Sequence, residues 1–349
     1  MKCVKVSTKD LDKVVSILNK LIDLNCLSKT REIIRNNSTY YIPLIDECNE
    51  GIARRLGLEV IECNPRTINV KGLRVKELIS KFLGSDIALH IPTSFDIIGD
   101  IALLPITEDS LKYAKVIAFY LTLIHKKIKS VYAKGAVRGF ERIRELKLIL
   151  GEDRTETIHK EHGLRFYVDI GKVYFNPRLA TEHARIASYV NDGEIVLDMF
   201  AGIGCFGIHI ASRKKVIVYA VDINPYAIFY GLKSLYLNKL KGKIVFINCD
   251  ASVLDHVFRG RIFDRIIMNL PQHSLNYLPI AYNLVKNGGS IHVYIIARTE
   301  KEALDRLSNE VKKLNLKFRE TRIRCVLDHA PHEYIYCIDC IGVSAMKTA

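Results

Sequence analysis

Asp198-Met199-Phe200-Ala201-Gly202-Ile203-Gly204-Cys205-Phe206-Gly207 follows an apolar, strand-like run from Ile195 and leads into a helix-like stretch. An acid at a strand end, a glycine turn and a helix form the opening unit of an open α/β sheet, whose ligands bind at the carboxyl ends of the strands. Gly202 and Gly204 let the backbone turn tightly and approach a ligand where a side chain would intervene. Dinucleotide-binding folds also place glycines here, so the discriminating residues must lie further along. The run Val216 to Val221 ends in Asp222, an acid suited to accept from both hydroxyls of a ribose. The next ends in Asn248-Cys249-Asp250-Ala251, where Asp250 suits the exocyclic amine of an adenine, and the fourth in Asn269-Leu270-Pro271. Asp222 and Asp250 are each equally suited to cap the helix that follows. Their shared place at successive strand ends favours a ligand site.

Outward from this core, strand-like runs continue at Ser290 to Ile296 and Tyr334 to Val343, alternating with helical segments from Phe166 onward. That alternation predicts a doubly wound sheet with helices on both faces. Upstream, residues 1–70 read as a small α+β unit: a helix from Asp10 to about Asn25, then a hairpin signal at Asn36, Asn37 and Ser38. Residues 71–165 read as an α/β middle domain, with a strand run from Phe95 to Ile106 broken at Gly99 and a helix from Leu111 to Ile128. The expected division is therefore 1–70, 71–165 and 166–349.

The formal net charge is +14. Half of it falls between Leu111 and Arg165, where 13 Lys or Arg face 6 Asp or Glu, and a localised basic stretch is what phosphate binding requires. No apolar run approaches the roughly 18 residues of a membrane span, and Met1 to Lys20 lacks the apolar stretch of a signal peptide. A cytoplasmic location is expected. Nine scattered cysteines without close, even spacing predict reduced thiols. The pair Cys337 and Cys340 lies in an apolar run and is expected to pack in a core; no metal site is expected.

Three blocks together resemble the archaeal and eukaryotic tRNA (guanine-37-N1)-methyltransferase family: Val173-Tyr174-Phe175-Asn176-Pro177-Arg178-Leu179-Ala180-Thr181-Glu182-His183, the Asp198 motif, and Met268-Asn269-Leu270-Pro271. Arg142, ten residues before Glu152, fits the same pattern. The resemblance covers about Leu73 to the C-terminus and more loosely the N-terminal unit. It implies a class I, Rossmann-like methyltransferase domain preceded by an RNA-binding middle domain and a small N-terminal α+β domain, acting with S-adenosylmethionine on tRNA. Guanine N1 carries a proton at neutral pH, so methylation there needs a base. The resemblance implies Glu182 for that role, Arg142 for the charge that builds on O6, and Asn269 with Pro271 to hold the base edge. It implies donor contacts by His183, Asp198, Phe200, Gly202, Gly204, Asp222, Ile223, Asp250, Ala251 and Asn269. Tyr174, Phe175, Pro177 and Arg178 fall to the substrate, as do Arg138 and Arg144 through its phosphates. Tyr174 and Phe175 offer stacking for a base splayed from the anticodon loop, and the N-terminal unit reaches the tRNA elbow. The enzyme is expected to act as a monomer.

Alternatives stay open. Glu182 near a helix start also suits the helix dipole, and Arg142 also suits a phosphate. A transferase of the wyosine pathway moves the aminocarboxypropyl group of the same donor, although its fourth-strand loop lacks the Asn-Leu-Pro form. Dual methylation of guanine N1 and of carbon 7 in a tricyclic precursor is a variant. A non-catalytic RNA-binding protein is the reading from another class.

Overall fold

The computed structural model describes residues 1–48, 51, 56–92, 94–139 and 143–344. Contacts divide the chain into two compact units, Met1–Ala136 with Glu145–Arg154, and Val137–Arg144 with Thr155–Ala349.

In the first unit, β1 (Lys2–Ser7), β2 (Ile34–Asn36), β3 (Thr39–Pro43) and β4 (Glu59–Glu62) form an antiparallel sheet in the order β2-β3-β1-β4. Asn37, the hairpin residue expected from the sequence, turns the chain with a φ of 52°. Helix α1 (Leu11–Asp23) is capped by Asp10, whose carboxylate accepts the Asp12 N–H at 2.9 Å. It buries Val14, Leu18 and Leu21 on one face, the spacing its sequence dictates. A second sheet holds β5 (Asp96–Ile98), β6 (Ile101–Leu104), β7 (Ser130–Arg138) and β8 (Ile143–Gly151). With it go α2 (Val75–Leu83) and the strongly apolar α3 (Ala114–Ile124).

The expected boundary at residue 70 is not a break in packing. Leu18 and Leu21 of α1, Phe82 of α2 and Phe119 and Tyr120 of α3 belong to one apolar core. The reason is geometric: α3 is apolar almost all round, so it takes cover on more than its own sheet. The other boundary falls at 154 instead of 165, because β9 (Glu156–Glu161) and β10 (Leu164–Asp169) pair as a hairpin inside the second unit.

Two disulfides, Cys3–Cys63 and Cys26–Cys48, lie in the first unit and correct the expectation of reduced thiols throughout. Their separations of 60 and 22 residues leave no spacing signature. The sheet creates the first pair, since Cys3 stands opposite Ile61 in the β1–β4 register. Cys337 and Cys340 remain free and buried. Three residues apart on one strand they point to opposite faces, and they enter separate cores, as core packing predicts.

The second unit is built on seven strands in the order β13-β12-β11-β14-β15-β17-β16. β11 (Ile195–Asp198), β12 (Ile217–Asp222), β13 (Lys243–Asn248), β14 (Phe263–Met268) and β15 (Val285–Ala297) run parallel. β17 (Glu333–Val343) and β16 (Phe318–Ala330) are antiparallel additions. Helices α4 (Ala180–Tyr189), α5 (Cys205–Arg213), α6 (Pro225–Leu235), α7 (Leu278–Leu284) and α8 (Glu300–Lys313) complete the doubly wound arrangement read from the sequence. Chain order reverses between β11 and β14, the topological switch point where such sheets bind ligands. Among the described residues no helix is long and apolar enough to cross a membrane.

Candidate active site

A cavity of about 420 Å³ opens at the carboxyl ends of β11, β12, β13 and β14, a volume suited to a nucleoside-sized ligand. From the glycine turn it takes Phe200, Gly202 and Ile203, from β12 Asp222 and Ile223, from the next strand end Asp250 and Ala251. Asn269, Leu270 and Pro271 close another side, and Tyr174, Phe175 and His183 come from the block before α4. Segments separated by nearly a hundred residues thus meet as the strand-end reading requires.

Asp222 does two things at once. Its Oδ2 accepts the Gly202 N–H at 2.7 Å and its Oδ1 the Asn224 N–H at 2.9 Å. It ties the glycine turn to the start of α6 while facing the cavity. Asp250 accepts the Ser252 N–H at 2.8 Å and also lines the wall, so capping the turn leaves it on the cavity. The Asn269–Leu270–Pro271 loop is braced from beneath by the Ser274 hydroxyl, which donates to the carbonyls of Met268 at 2.8 Å and Leu270 at 2.9 Å. Phe175 meets His159 edge to face at 5.1 Å.

Other expected residues are placed elsewhere. Gly204 does not line the cavity; its φ of +79° starts α5, and a Cβ there would lie 2.6 Å from the Phe246 ring. Asp198 is wholly buried beneath the turn, and neither carboxylate oxygen has a hydrogen-bond partner. Burial, and then the Asp222 carboxylate, push its pKa up to about 8. It is a neutral acid under the site. Pro177 and Arg178 open the short 3-10 turn before α4, where the Asn176 side chain accepts the Arg178 N–H at 3.1 Å, and they are off the wall. Arg144 lies on β8 away from the cavity lining. Arg138 ends β7, and Arg142 lies outside the described residues.

Glu182 is buried and also stands off the cavity wall, although His183 beside it is on it. Arg185 grips it with two bonds, Nε to Oε2 at 2.7 Å and Nη2 to Oε1 at 2.6 Å, and the Tyr294 hydroxyl donates to Oε1 at 2.7 Å. Burial alone would raise the carboxyl pKa, but these bonds outweigh it and hold it below the usual range. Arg185 also donates from Nη1 to Asp339 at 2.7 Å, and His292 Nδ1 lies 2.5 Å from the same carboxylate. Burial keeps His292 neutral, so its Nδ1–H donates to Asp339 while Nε2 accepts from Arg265 at 2.8 Å. Sequence reading missed this support for Glu182. The one local signal was an acid and an arginine at i and i+3, which share a helix face; Tyr294 and Asp339 are more than a hundred residues away.

Residues 157–323 match the TRM5/TYW2 methyltransferase domain and residues 75–155 the TYW2 N-terminal domain. A Pyrococcus abyssi protein named tRNA (guanine(37)-N(1))-methyltransferase Trm5b is 35% identical, over 93% of this chain and 94% of that one. A Methanocaldococcus jannaschii protein of the same name is 37% identical over 97% of each. The solved complex of aTrm5 with tRNALeu superposes with a TM-score of 0.65 at 34% identity, covering 97% of this chain and 99% of that one. With a relative above 30% identity spanning nearly its whole length, the chain belongs to the TRM5/TYW2 methyltransferase family.

Proposed function

We propose that this protein transfers the methyl group of S-adenosylmethionine to N1 of guanosine 37 in tRNA. The observation that carries the reading is the meeting, in one cavity, of the strand-end acids Asp222 and Asp250 with the Asn269–Leu270–Pro271 loop. The relatives that span nearly all of the chain carry the guanine-37 name, and the superposed complex contains tRNA.

The wall fits the donor. A carboxylate offers about four acceptor positions, and Asp222 and Asp250 stand on the wall as acceptors suited to ribose hydroxyls and an adenine amine. Ile223, Ala251 and Phe206 supply apolar sides. The bound donor supplies an electrophilic methyl group on a sulfonium. Asn269 then holds the guanine edge, and Tyr174 and Phe175 compensate for stacking lost when the base leaves the anticodon loop. Arg142 offsets negative charge on O6.

Glu182 is the base in this reading. Its ionised carboxylate can accept the N1 proton, yet it must first turn toward the cavity, giving up contacts with Tyr294 or Arg185. The basic stretch between Leu111 and Arg165 binds tRNA phosphates, residues 1–70 reach the elbow, and the enzyme works as a cytoplasmic monomer. Asp222→Ala should weaken donor binding by about 1.5–3 kcal/mol, the scale of hydrogen bonds to a charged group. Calorimetry with S-adenosylmethionine checks it, and unchanged affinity in a folded variant would leave Asp222 as a turn brace alone.

A further inference from the structure

Behind the cavity wall, three of the chain's eleven histidines stand within 4 Å of one carboxylate. Glu161 ends β9 with its side chain wholly buried. Its Oε2 lies 2.8 Å from His183 Nδ1 on α4 and 3.0 Å from His209 Nε2 on α5. His159 Nε2 stands 3.9 Å from the other oxygen, Oε1. The His162 ring is 5.9 Å from that of His209.

Hydrogen bonding accounts for only part of this cluster. Both close contacts fall on Oε2, while Glu161 Oε1 and His209 Nδ1 are buried without a hydrogen-bond partner. Among the described residues, the cationic side chains within 4 Å of Glu161 are imidazoles alone. Glu161 is thus a buried carboxylate with no lysine or arginine among these close neighbours, a costly arrangement.

We propose that Glu161, His183 and His209 form a binding site for a divalent transition-metal ion of the zinc class, with His159 in reach as a fourth ligand. The three donor atoms lie within 4.8 Å of one another, near enough to converge on one ion with bonds of about 2.0–2.1 Å after small side-chain rotations. The donor set, imidazoles with one carboxylate, suits zinc, cobalt, nickel or iron over the oxygen-seeking calcium and magnesium. The ion would neutralise Glu161 and join β9, α4 and α5. In doing so it would hold His183 at the cavity wall and fix the helix that carries Glu182.

Untagged protein stripped with a chelator and titrated with cobalt(II) tests the site. We expect one equivalent to bind, with ligand-field bands in the visible and a higher melting temperature, and zinc to displace it. Glu161→Gln and His209→Gln should each weaken cobalt binding at least about 100-fold. Absence of stoichiometric binding, or equal binding by folded variants, would overturn the site and leave a hydrogen-bonded cluster. Should the variants not fold, anomalous diffraction from zinc-loaded wild-type crystals decides: a peak within bonding distance of Glu161, His183 and His209 supports the proposal, and none refutes it.

Discussion

Two buried acids of the second unit, Glu182 and Asp198, sit in opposite electrostatic surroundings. Glu182 receives three hydrogen bonds from Arg185 and Tyr294 and stays ionised. Asp198 receives none and is protonated up to a pKa of about 8. Sequence alone placed both near the reaction, because side-chain type and strand position are legible in it, whereas depth below the surface is set by the rest of the sheet. Glu182→Gln should keep donor binding and slow methyl transfer about 100-fold or more, the range for loss of a general base; single-turnover rates near those of the wild type would remove Glu182 from that role. For Asp198 the sign follows from the raised value. The unfolded carboxyl titrates near 3.9, so between about pH 4 and pH 8 the folded state holds a proton that the unfolded state has released. Stability then falls as pH rises through that window. Asp198→Asn removes the effect, so its melting temperature relative to wild type should climb from pH 5 to pH 8. A difference independent of pH would show that Asp198 is not held protonated.

At the scale of elements, β11, β12 and β13 were legible because each is a short apolar run ending in an acid or asparagine. β16 was not. Its residues are mostly exposed and include Arg319, Arg322 and Arg324, so the apolar alternation that marks a strand is missing. Charge of that kind is how an edge strand avoids pairing with another molecule. The disulfides escaped for a related reason, since pairing across β1 and β4 is a property of the sheet. They carry a prediction. Closing a loop of 60 residues stabilises by about 4 kcal/mol in the chain-entropy account, so a reducing agent should lower the melting transition of the first unit markedly. Identical melts with and without reductant, with both pairs confirmed by mass as oxidised at the start, would show that the bridges contribute little.

For the molecule as a whole, the sequence carried the doubly wound sheet and most of the cavity wall: Tyr174, Phe175, His183, Phe200, Gly202, Asp222, Asp250 and Asn269 all reach it. It was less informative about boundaries. Residues 1–70 share a core with those that follow, so a cut at 70 would strip cover from α2 and α3, and their contribution to tRNA binding must be measured on the intact chain. The central claim concerns the reaction. Unmodified tRNA transcript, incubated with the protein and methyl-labelled S-adenosylmethionine and then digested to nucleosides and mapped by mass, tests it most directly. The account predicts a single added methyl group at position 37, as N1-methylguanosine, and none when that guanosine is replaced by adenosine. Label at another position, or an aminocarboxypropyl adduct at 37, would contradict it.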